Sequence, residues 1–424
     1  MTEYGDRRVR IIGSGSREHA LLNLAKQSPQ ISYIDITPGN GGTEAYNVPI
    51  SATDIKTQVE DAKARRIDTV IVGPEDPLAL GIRDRMNAVG IDVFGPTAQE
   101  AMIESSKWFA IELMRDAGIR HPETQAFYDF GSARAYVMDR GFNNIVLKRD
   151  GLLGGKGVSV PDSLEEAEVA LINAFRNKAP REPILVQNRI EGVETSFMAF
   201  VDGEHIVPLL SSRDYKRVGE GDSGPNTGGM GAIAPDKTAT AALHKRIMKE
   251  IMYPIVLEMR KRGMRYKGIL YAGLMIDEDG NPIVIEFNSR GGDPELPVIS
   301  ILFSPEFDIL EVIDAVKNGT LSENQLRFLE NMFAVGIVAS SKGYPGKYDV
   351  GKLISGLDQK LDDDSFLFHA GTKIGRNGVY TNGGRVVLAV GRGESFKDAK
   401  KKATNVISKV IFEGKHQRND IGDF

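Results

Sequence analysis

The stretch Pro282-Ile283-Val284-Ile285-Glu286-Phe287-Asn288-Ser289-Arg290-Gly291-Gly292-Asp293-Pro294-Glu295 begins as an apolar strand and surfaces into a carboxylate, an amide and a guanidinium. Side chains alternate along a strand, so Glu286, Asn288 and Arg290 share one face. A carboxylate and an amide oxygen two residues apart suit a hard divalent cation, and an arginine beside them suits the phosphate oxygens such a cation carries. A strand end leading into a Gly-Gly-Asp-Pro turn with solvated charges would leave the same residues. A second segment tips the balance. Asp150-Gly151-Leu152-Leu153-Gly154-Gly155-Lys156-Gly157-Val158 follows the apolar run Ile145-Val146-Leu147-Lys148. Its glycines let backbone N–H groups approach an anion closely, and Lys156 then reaches phosphate. The spacing G-x-x-x-x-G-K-[ST] of a P-loop is absent, and Val158-Ser159-Val160 reads as a strand rather than a helix. Lys148 interrupts an apolar strand, where an unpaired ammonium is costly unless it meets an anion or reaches solvent.

These groups need elements to position them. Val9-Arg10-Ile11-Ile12, Tyr33-Ile34-Asp35-Ile36, Thr69-Val70-Ile71-Val72 and Asp92-Val93-Phe94 are short β-rich runs separated by helical stretches, which predicts a doubly wound parallel sheet. Its first turn sets Gly13-Ser14-Gly15 ahead of a helix starting near Arg17, where backbone donors and the helix dipole favour an anion. A purely structural tight turn is the other reading of these glycines. A nicotinamide-binding turn fits poorly, because Glu18 stands where G-x-G-x-x-G has its third glycine. From about Ala101 the pattern changes to a helix carrying Ser106-Lys107-Trp108-Phe109, and residues 121–190 read as a smaller α+β lid around the glycine hairpin. A central sheet is expected through residues 196–294, and Phe333 opens a third unit that ends in a lysine-rich, solvated helix near residues 396–411. Gly343-Tyr344-Pro345-Gly346 reads as a plain turn. The fold class is therefore α/β and α+β multidomain, with boundaries expected at 1–103, 104–330 and 331–424.

Composition narrows the function without naming it. A chain of 424 residues can bury several cores. Its mixed charges and formal net charge of −5 offer no general attraction to nucleic acid or acidic membranes. Cysteine is absent, which excludes disulfides, thiolate catalysis and zinc–thiolate sites and is compatible with the cytoplasm. Residues 1–8 run directly into a strand with no apolar signal region, and no apolar stretch approaches ~20 residues, so neither a signal nor a membrane span is expected.

A glycine hairpin over phosphates, with a lysine in the preceding strand and an acid–amide pair on another, resembles the ATP-grasp architecture, in which two lobes hold ATP between them. Longer motifs make the resemblance specific. Gly13-Ser14-Gly15-Ser16-Arg17-Glu18-His19-Ala20-Leu21, Pro38-Gly39-Asn40-Gly41-Gly42-Thr43, Val72-Gly73-Pro74-Glu75 and Phe94-Gly95-Pro96-Thr97 come first. Asp150 to Val158, Asp214-Tyr215-Lys216-Arg217, Gly224-Pro225-Asn226-Thr227-Gly228-Gly229-Met230-Gly231 and Tyr271-Ala272-Gly273-Leu274-Met275 follow. His369-Ala370-Gly371-Thr372 and Thr381-Asn382-Gly383-Gly384-Arg385-Val386 complete a series that, in order and spread, is similar to the phosphoribosylamine–glycine ligase family.

The resemblance implies ATP with Mg2+ or Mn2+ as cofactors, glycine and 5-phosphoribosylamine as substrates, and a monomer or weak homo-oligomer. It implies a glycyl phosphate intermediate, formed when the glycine carboxylate takes the γ-phosphoryl group of ATP and consumed by the amine. Arg290 and Lys156 are expected to neutralise the transferred phosphoryl group, and Glu286 and Asn288 to hold metal. Lys107, Lys148, Gly154, Gly155, Lys156, Gln187, Ile190 and Glu194 are expected around the nucleotide. Gly13, Ser14, Gly15, Asn40, Glu75, Asp214, Lys216, Arg217, Gly228 and Asp293 are expected around the other substrates, with the acceptor's phosphate at the first turn. The strand Leu270 to Ile276 offers no carboxylate before Asp277, so the metal shell is completed by phosphates and water.

Some residues depart from the family pattern. Gln187-Asn188 stand where two glutamates are usual, Ser289 and Gly291 stand within E-F-N-C-R-F-G-D-P-E, and Arg149 replaces a small residue. Arg418-Asn419-Asp420-Ile421-Gly422 approximates R-K-D-I-G. Gly291 removes an aromatic wall near the acceptor. A ligase of different amino-acid or acceptor specificity, and a nucleotide-binding protein without turnover, are the alternatives to the family reaction.

Overall fold

The structure is a computed structural model describing residues 5–154 and 157–423. Short apolar strands alternating with helices build the first sheet. Arg7–Gly13, Ile31–Pro38, Thr69–Val72 and Asp92–Phe94 run parallel in the spatial order second, first, third, fourth. Alternation sends Val9, Ile11 and Ile71 into one core, and Ile12, Val70 and Val72 into another, so helices cover both faces. Arg10, fully buried between them, is neutralised by Asp35 at 2.8 Å and Asp61 at 2.5 Å.

The lid is a separate four-stranded antiparallel sheet in the order Thr124–Phe127, Ile184–Asn188, Ile145–Arg149, Val158–Ser159. Helices Phe130–Arg140 and Leu164–Arg176 close its small core through Ala133, Val137, Ala167 and Leu171. The central sheet orders Ile206–Pro208, Val193–Asp202, Lys267–Ile276 and Pro282–Asn288. Its period of two divides the molecule: Phe197, Ala199 and Val201 pack on one side and Met198 and Phe200 on the other.

The third sheet differs from the expected partition. It runs Arg213–Asp214, Gly231–Ala234, Phe333–Ser341, Arg385–Gly393, Ser365–His369, with Lys415–His416 added to the third of these. Arg213–Asp214 and Gly231–Ala234 therefore leave the central sheet assigned to 196–294 and join strands beyond residue 330, while Arg217–Gly219 and Ser223–Asn226 pair as a separate hairpin. Close backbone approach decides this pairing: a Cβ on Gly231 would lie 2.4 Å from the Gly336 carbonyl oxygen. The helix Phe396–Lys409 buries Phe396, Ala399, Ala403, Val406 and Ile407 against this sheet and leaves Lys397, Lys401 and Lys409 exposed. Among the described residues no helix is long and apolar enough to cross a membrane.

Candidate functional site

The three units enclose a cavity of about 580 Å³. At its lid end, Asp150 accepts hydrogen bonds from Ser106 Oγ at 2.9 Å and from the Lys107 N–H, so the root of the glycine hairpin is fastened to the start of the helix Lys107–Asp116. Lys107 Nζ donates to the Gly151 carbonyl at 2.8 Å, and Lys148 Nζ donates to the Ile285 carbonyl at 3.1 Å. Both lysines border the cavity with Glu286 and act on its charge. Burial pushes Lys148 down to about 8, although Glu286 pulls the other way. Gly154 and Gln187 also border the cavity, and Gln187 Nε2 is held by Thr124 Oγ1 at 2.9 Å. Gly155 and Lys156 lie outside the described residues. Ile190 does not border the cavity, and Glu194 faces Lys216 at 3.1 Å instead of the cavity space.

Glu286, Asn288 and Arg290 come together on one wall, as alternation predicts. Burial raises Glu286, but Lys216, Lys148 and Lys107 outweigh it and hold the carboxyl below its usual range. The donor set of one carboxylate and one amide oxygen fits a hard cation that brings phosphate oxygens with it. Among the described residues no cluster of three or more His, Cys, Asp or Glu could hold a metal unaided. Arg290, expected to neutralise the transferred phosphoryl group, borders the cavity with its donors engaged by neighbouring groups of the chain. Its Nε donates to Glu75 at 3.0 Å, its Nη2 lies 2.9 Å from Glu104, and further donors meet Asn288 Oδ1 and the Gly291 carbonyl at 3.3 Å. With its donors engaged in this way, Arg290 fixes Asn288 and Glu75 in place. Burial favours the neutral form of Glu75, yet Arg290 and Arg17 outweigh it and hold Glu75 at about 2.

The first turn is bonded by carboxylates of the chain itself. Gly13, Ser14 and Gly15 border the cavity, but the donors behind them are occupied. Glu18 accepts from the Gly15 N–H and from Arg17 Nε, while Asp293 accepts from Ser16 Oγ at 2.6 Å and the Arg17 N–H at 3.2 Å. Two carboxylates of the chain hold the positions where an anion was expected at the helix start. The spacing Gly15 to Glu18 is that of a capping box, the local signal for this outcome. Asn40 does not border the cavity; its Nδ2 donates to the Ser14 and His369 carbonyls at 3.0 and 2.9 Å and ties the turn to the third unit.

That junction contains two buried histidines. The His369 N–H donates to His19 Nδ1 at 3.0 Å, and a Cβ on Gly42 would lie 2.6 Å from both rings. Burial, then His369 and Lys26, lower His19 to about 3, and burial lowers His369 to about 4. The folded state thus keeps both neutral, so below the unfolded value the unfolded chain binds protons that the folded chain refuses. Urea unfolding should show full stability above pH 6.5 and a loss approaching about 1.4 kcal/mol per pH unit per histidine below it. The descent should be shallower in His369→Gln.

At the opposite end, Asp214, Lys216, Gly228 and Asp293 line the cavity. Asp214 Oδ1 is buried without a hydrogen-bond partner. Burial, then Glu295, raise Asp214 well above the usual carboxylate range. Glu295 accepts from Tyr271 Oη at 2.6 Å and Ser196 Oγ at 3.2 Å. Lys216 is held well above its usual value because Glu194 and Glu286 outweigh its burial. Arg217 points away: it donates to the Gly224 carbonyl at 2.7 Å and does not border the cavity. Tyr344 does, with its hydroxyl accepting from the Gly228 N–H at 2.9 Å beside Arg385, so the turn at 343–346 is part of the site. Glu104, Glu295, Arg385 and Tyr344 are site residues to which the sequence alone assigned no role.

A parallel-sheet unit, a lid sheet and an antiparallel sheet converging on lysines, a carboxylate and an amide define an ATP-grasp enzyme. The chain belongs to the phosphoribosylglycinamide synthetase family: its N domain matches over residues 7–104, its ATP-grasp (A) domain over 105–296 and its C domain over 334–424. It is 42% identical over 425 residues to the phosphoribosylamine–glycine ligase of Salmonella typhimurium and 41% identical to that of Escherichia coli O157:H7, with 98% of each chain covered. The crystal structure of the phosphoribosylamine–glycine ligase of Thermotoga maritima matches at a TM-score of 0.81 and 32% identity, covering 97% of this chain and 99% of that one. The biotin carboxylase domain of a Hydrogenobacter thermophilus 2-oxoglutarate carboxylase, solved with ADP, magnesium and bicarbonate, shares the fold at a TM-score of 0.73 and 16% identity, covering 97% and 91%.

Proposed function

We propose that the protein joins glycine to 5-phosphoribosylamine at the expense of ATP, through glycyl phosphate, giving glycinamide ribonucleotide, ADP and phosphate in purine biosynthesis. The observation that carries this reading is the meeting, in one cavity, of Lys107 and Lys148, the Glu286–Asn288 pair and the Asp214–Lys216 pair, in a chain whose relatives match it over 98% of its length. Lys107, Lys148 and the glycine hairpin hold the nucleotide's phosphates, and Gln187 lies at the adenine end. Glu286 and Asn288 hold Mg2+ or Mn2+, which when bound neutralises the phosphate oxygens. Asp214, with its unpartnered oxygen, and Glu295 receive an amino group, whose charge offsets theirs. The bound glycine carboxylate attacks the γ-phosphorus as the bond to ADP breaks. The amine then attacks the acyl carbon, phosphate leaves, and a nearby carboxylate takes the amine's proton. The work of the site is positioning and charge neutralisation.

The acceptor's phosphate lies near Ser14 and Arg385, with Asp293 turning aside from the helix start. Only small-molecule partners are needed, in the cytoplasm and without nucleic acid or membrane. The test is ADP release with Mg-ATP, freshly generated phosphoribosylamine and a panel of small amino acids, with the product identified by mass. Glycine-dependent glycinamide ribonucleotide is expected. Turnover only with another amino acid or acceptor would establish a different specificity, and ATP binding without turnover would overturn the ligase reading. Lys148→Ala should raise the KM for ATP at least about tenfold, as expected for losing a charge-assisted phosphate contact.

A further inference from the structure

Asp214 and Lys216 face the cavity, and the residue between them faces the other way. Tyr215 is buried in the core of the third unit with Ile233 and Ile421, and its backbone exchanges hydrogen bonds with Gly231 and Met230 at 2.9 Å. Its hydroxyl accepts from the Gly422 N–H at 3.1 Å, and the Arg418 guanidinium lies 5.2 Å from its ring centre. Arg418 is only 1% exposed. It donates two bonds to Asp420, one to Asp222 at 2.8 Å and one to the Arg217 carbonyl at 3.0 Å. Residues 220–226 form the exposed part of a hairpin between Lys216 and Gly228, and residues 416–422 hold this hairpin along its length. His416 meets the Val218 carbonyl at 2.8 Å, Asn419 donates to Glu220 at 3.0 Å, and Asp420 accepts from the Gly221 N–H at 2.9 Å.

We infer that segment 416–422 is a positioning clamp for the amine-binding end of the cavity, with Arg418 as its central positioning residue. The inference rests on the ligase reading above. A buried guanidinium facing two carboxylates is an expensive way to stabilise a surface hairpin, because well-packed apolar residues do as well or better. What the planar fork supplies is geometry: one group fixes the carbonyl after Lys216, the hairpin tip and the segment's own turn at once. Thr227, whose N–H and hydroxyl both bond the Lys216 carbonyl, carries that constraint to Gly228. Among the described residues, the hydrogen bonds and ion pairs of the clamp reach none of Lys107, Lys148 and Gln187 at the nucleotide end.

The test compares wild type, Arg418→Lys and Tyr215→Phe, the last removing one hydroxyl. Steady-state kinetics for glycine, phosphoribosylamine and ATP are paired with hydrogen exchange over residues 213–230. Both variants should lose about tenfold in kcat/KM for glycine or the amine, while the KM for ATP stays within about twofold. Amide exchange in the hairpin should accelerate in both. Unchanged kcat/KM with accelerated exchange would make the clamp merely structural and overturn the inference. Unchanged exchange in both variants would overturn the clamp itself, and an equal loss for ATP and the amine would overturn its selectivity. Wild type without turnover would sink the ligase reading instead, leaving the exchange measurement to decide whether the clamp exists.

Discussion

Arg290→Met should lose about 10- to 100-fold in turnover, the scale seen when the partner that orients a metal ligand is removed, and about 3–5 kcal/mol of stability. The two losses have different origins. Arg290 lies between Glu75 of the first unit and Glu104, and burial already pushes Glu104 above its usual range with Arg290 as the opposing influence. Without the guanidinium two buried carboxylates face each other, and one must take up a proton or the units must part. Glu104 also accepts from the Ser289 N–H and hydroxyl at 2.8 and 2.9 Å, so this strain is transmitted to the strand end carrying Asn288. Glu104→Gln in the Arg290→Met background should therefore recover much of the stability, read by urea unfolding, without recovering turnover. Activity within tenfold of wild type in Arg290→Met would reduce the residue to a tie between units.

How far the site could be read from sequence follows from the distances between its parts along the chain. Glu286 and Asn288 were legible because a period of two places them on one face whatever surrounds them. Lys148 was legible because it breaks an apolar run. Glu104 and Ser289 are 185 residues apart, and nothing local announces their contact. Arg385 and Tyr344 reach the cavity only because Gly231–Ala234 joins the third sheet, a pairing set by backbone approach that hydrophobic patterning does not encode. The first turn shows a limit of a different kind. Gly13-Ser14-Gly15 before a helix signals an anion, but Glu18 three residues on signals self-capping, and the chain's own carboxylate takes the donor. Arg217 illustrates the limit of spacing: it follows Lys216 directly, yet the strand carries its side chain away from the cavity.

Glu286→Gln keeps the shape of the wall and removes the charge on which three lysines converge. Turnover should fall by about 10³-fold, the magnitude of losing a key electrostatic contact to a transferring group, and excess Mg2+ should not restore it. A second consequence concerns Lys148. In the wild type its ammonium is held at about 8 by burial, with Glu286 the main group supporting its charge. Since phosphate binds the charged form, the KM for ATP should be flat below pH 8 and rise by up to about tenfold per pH unit above it. Removing the supporting carboxylate lowers the ammonium further, so in Glu286→Gln the rise must begin at lower pH. The direction matters: a profile that moved upward, or a wild-type KM flat to pH 9.5, would show that Lys148 does not meet the nucleotide's phosphates. A matched shift would connect the buried lysine, the strand carboxylate and the nucleotide in one electrostatic unit, because a structural role for either residue leaves the KM independent of pH in this range.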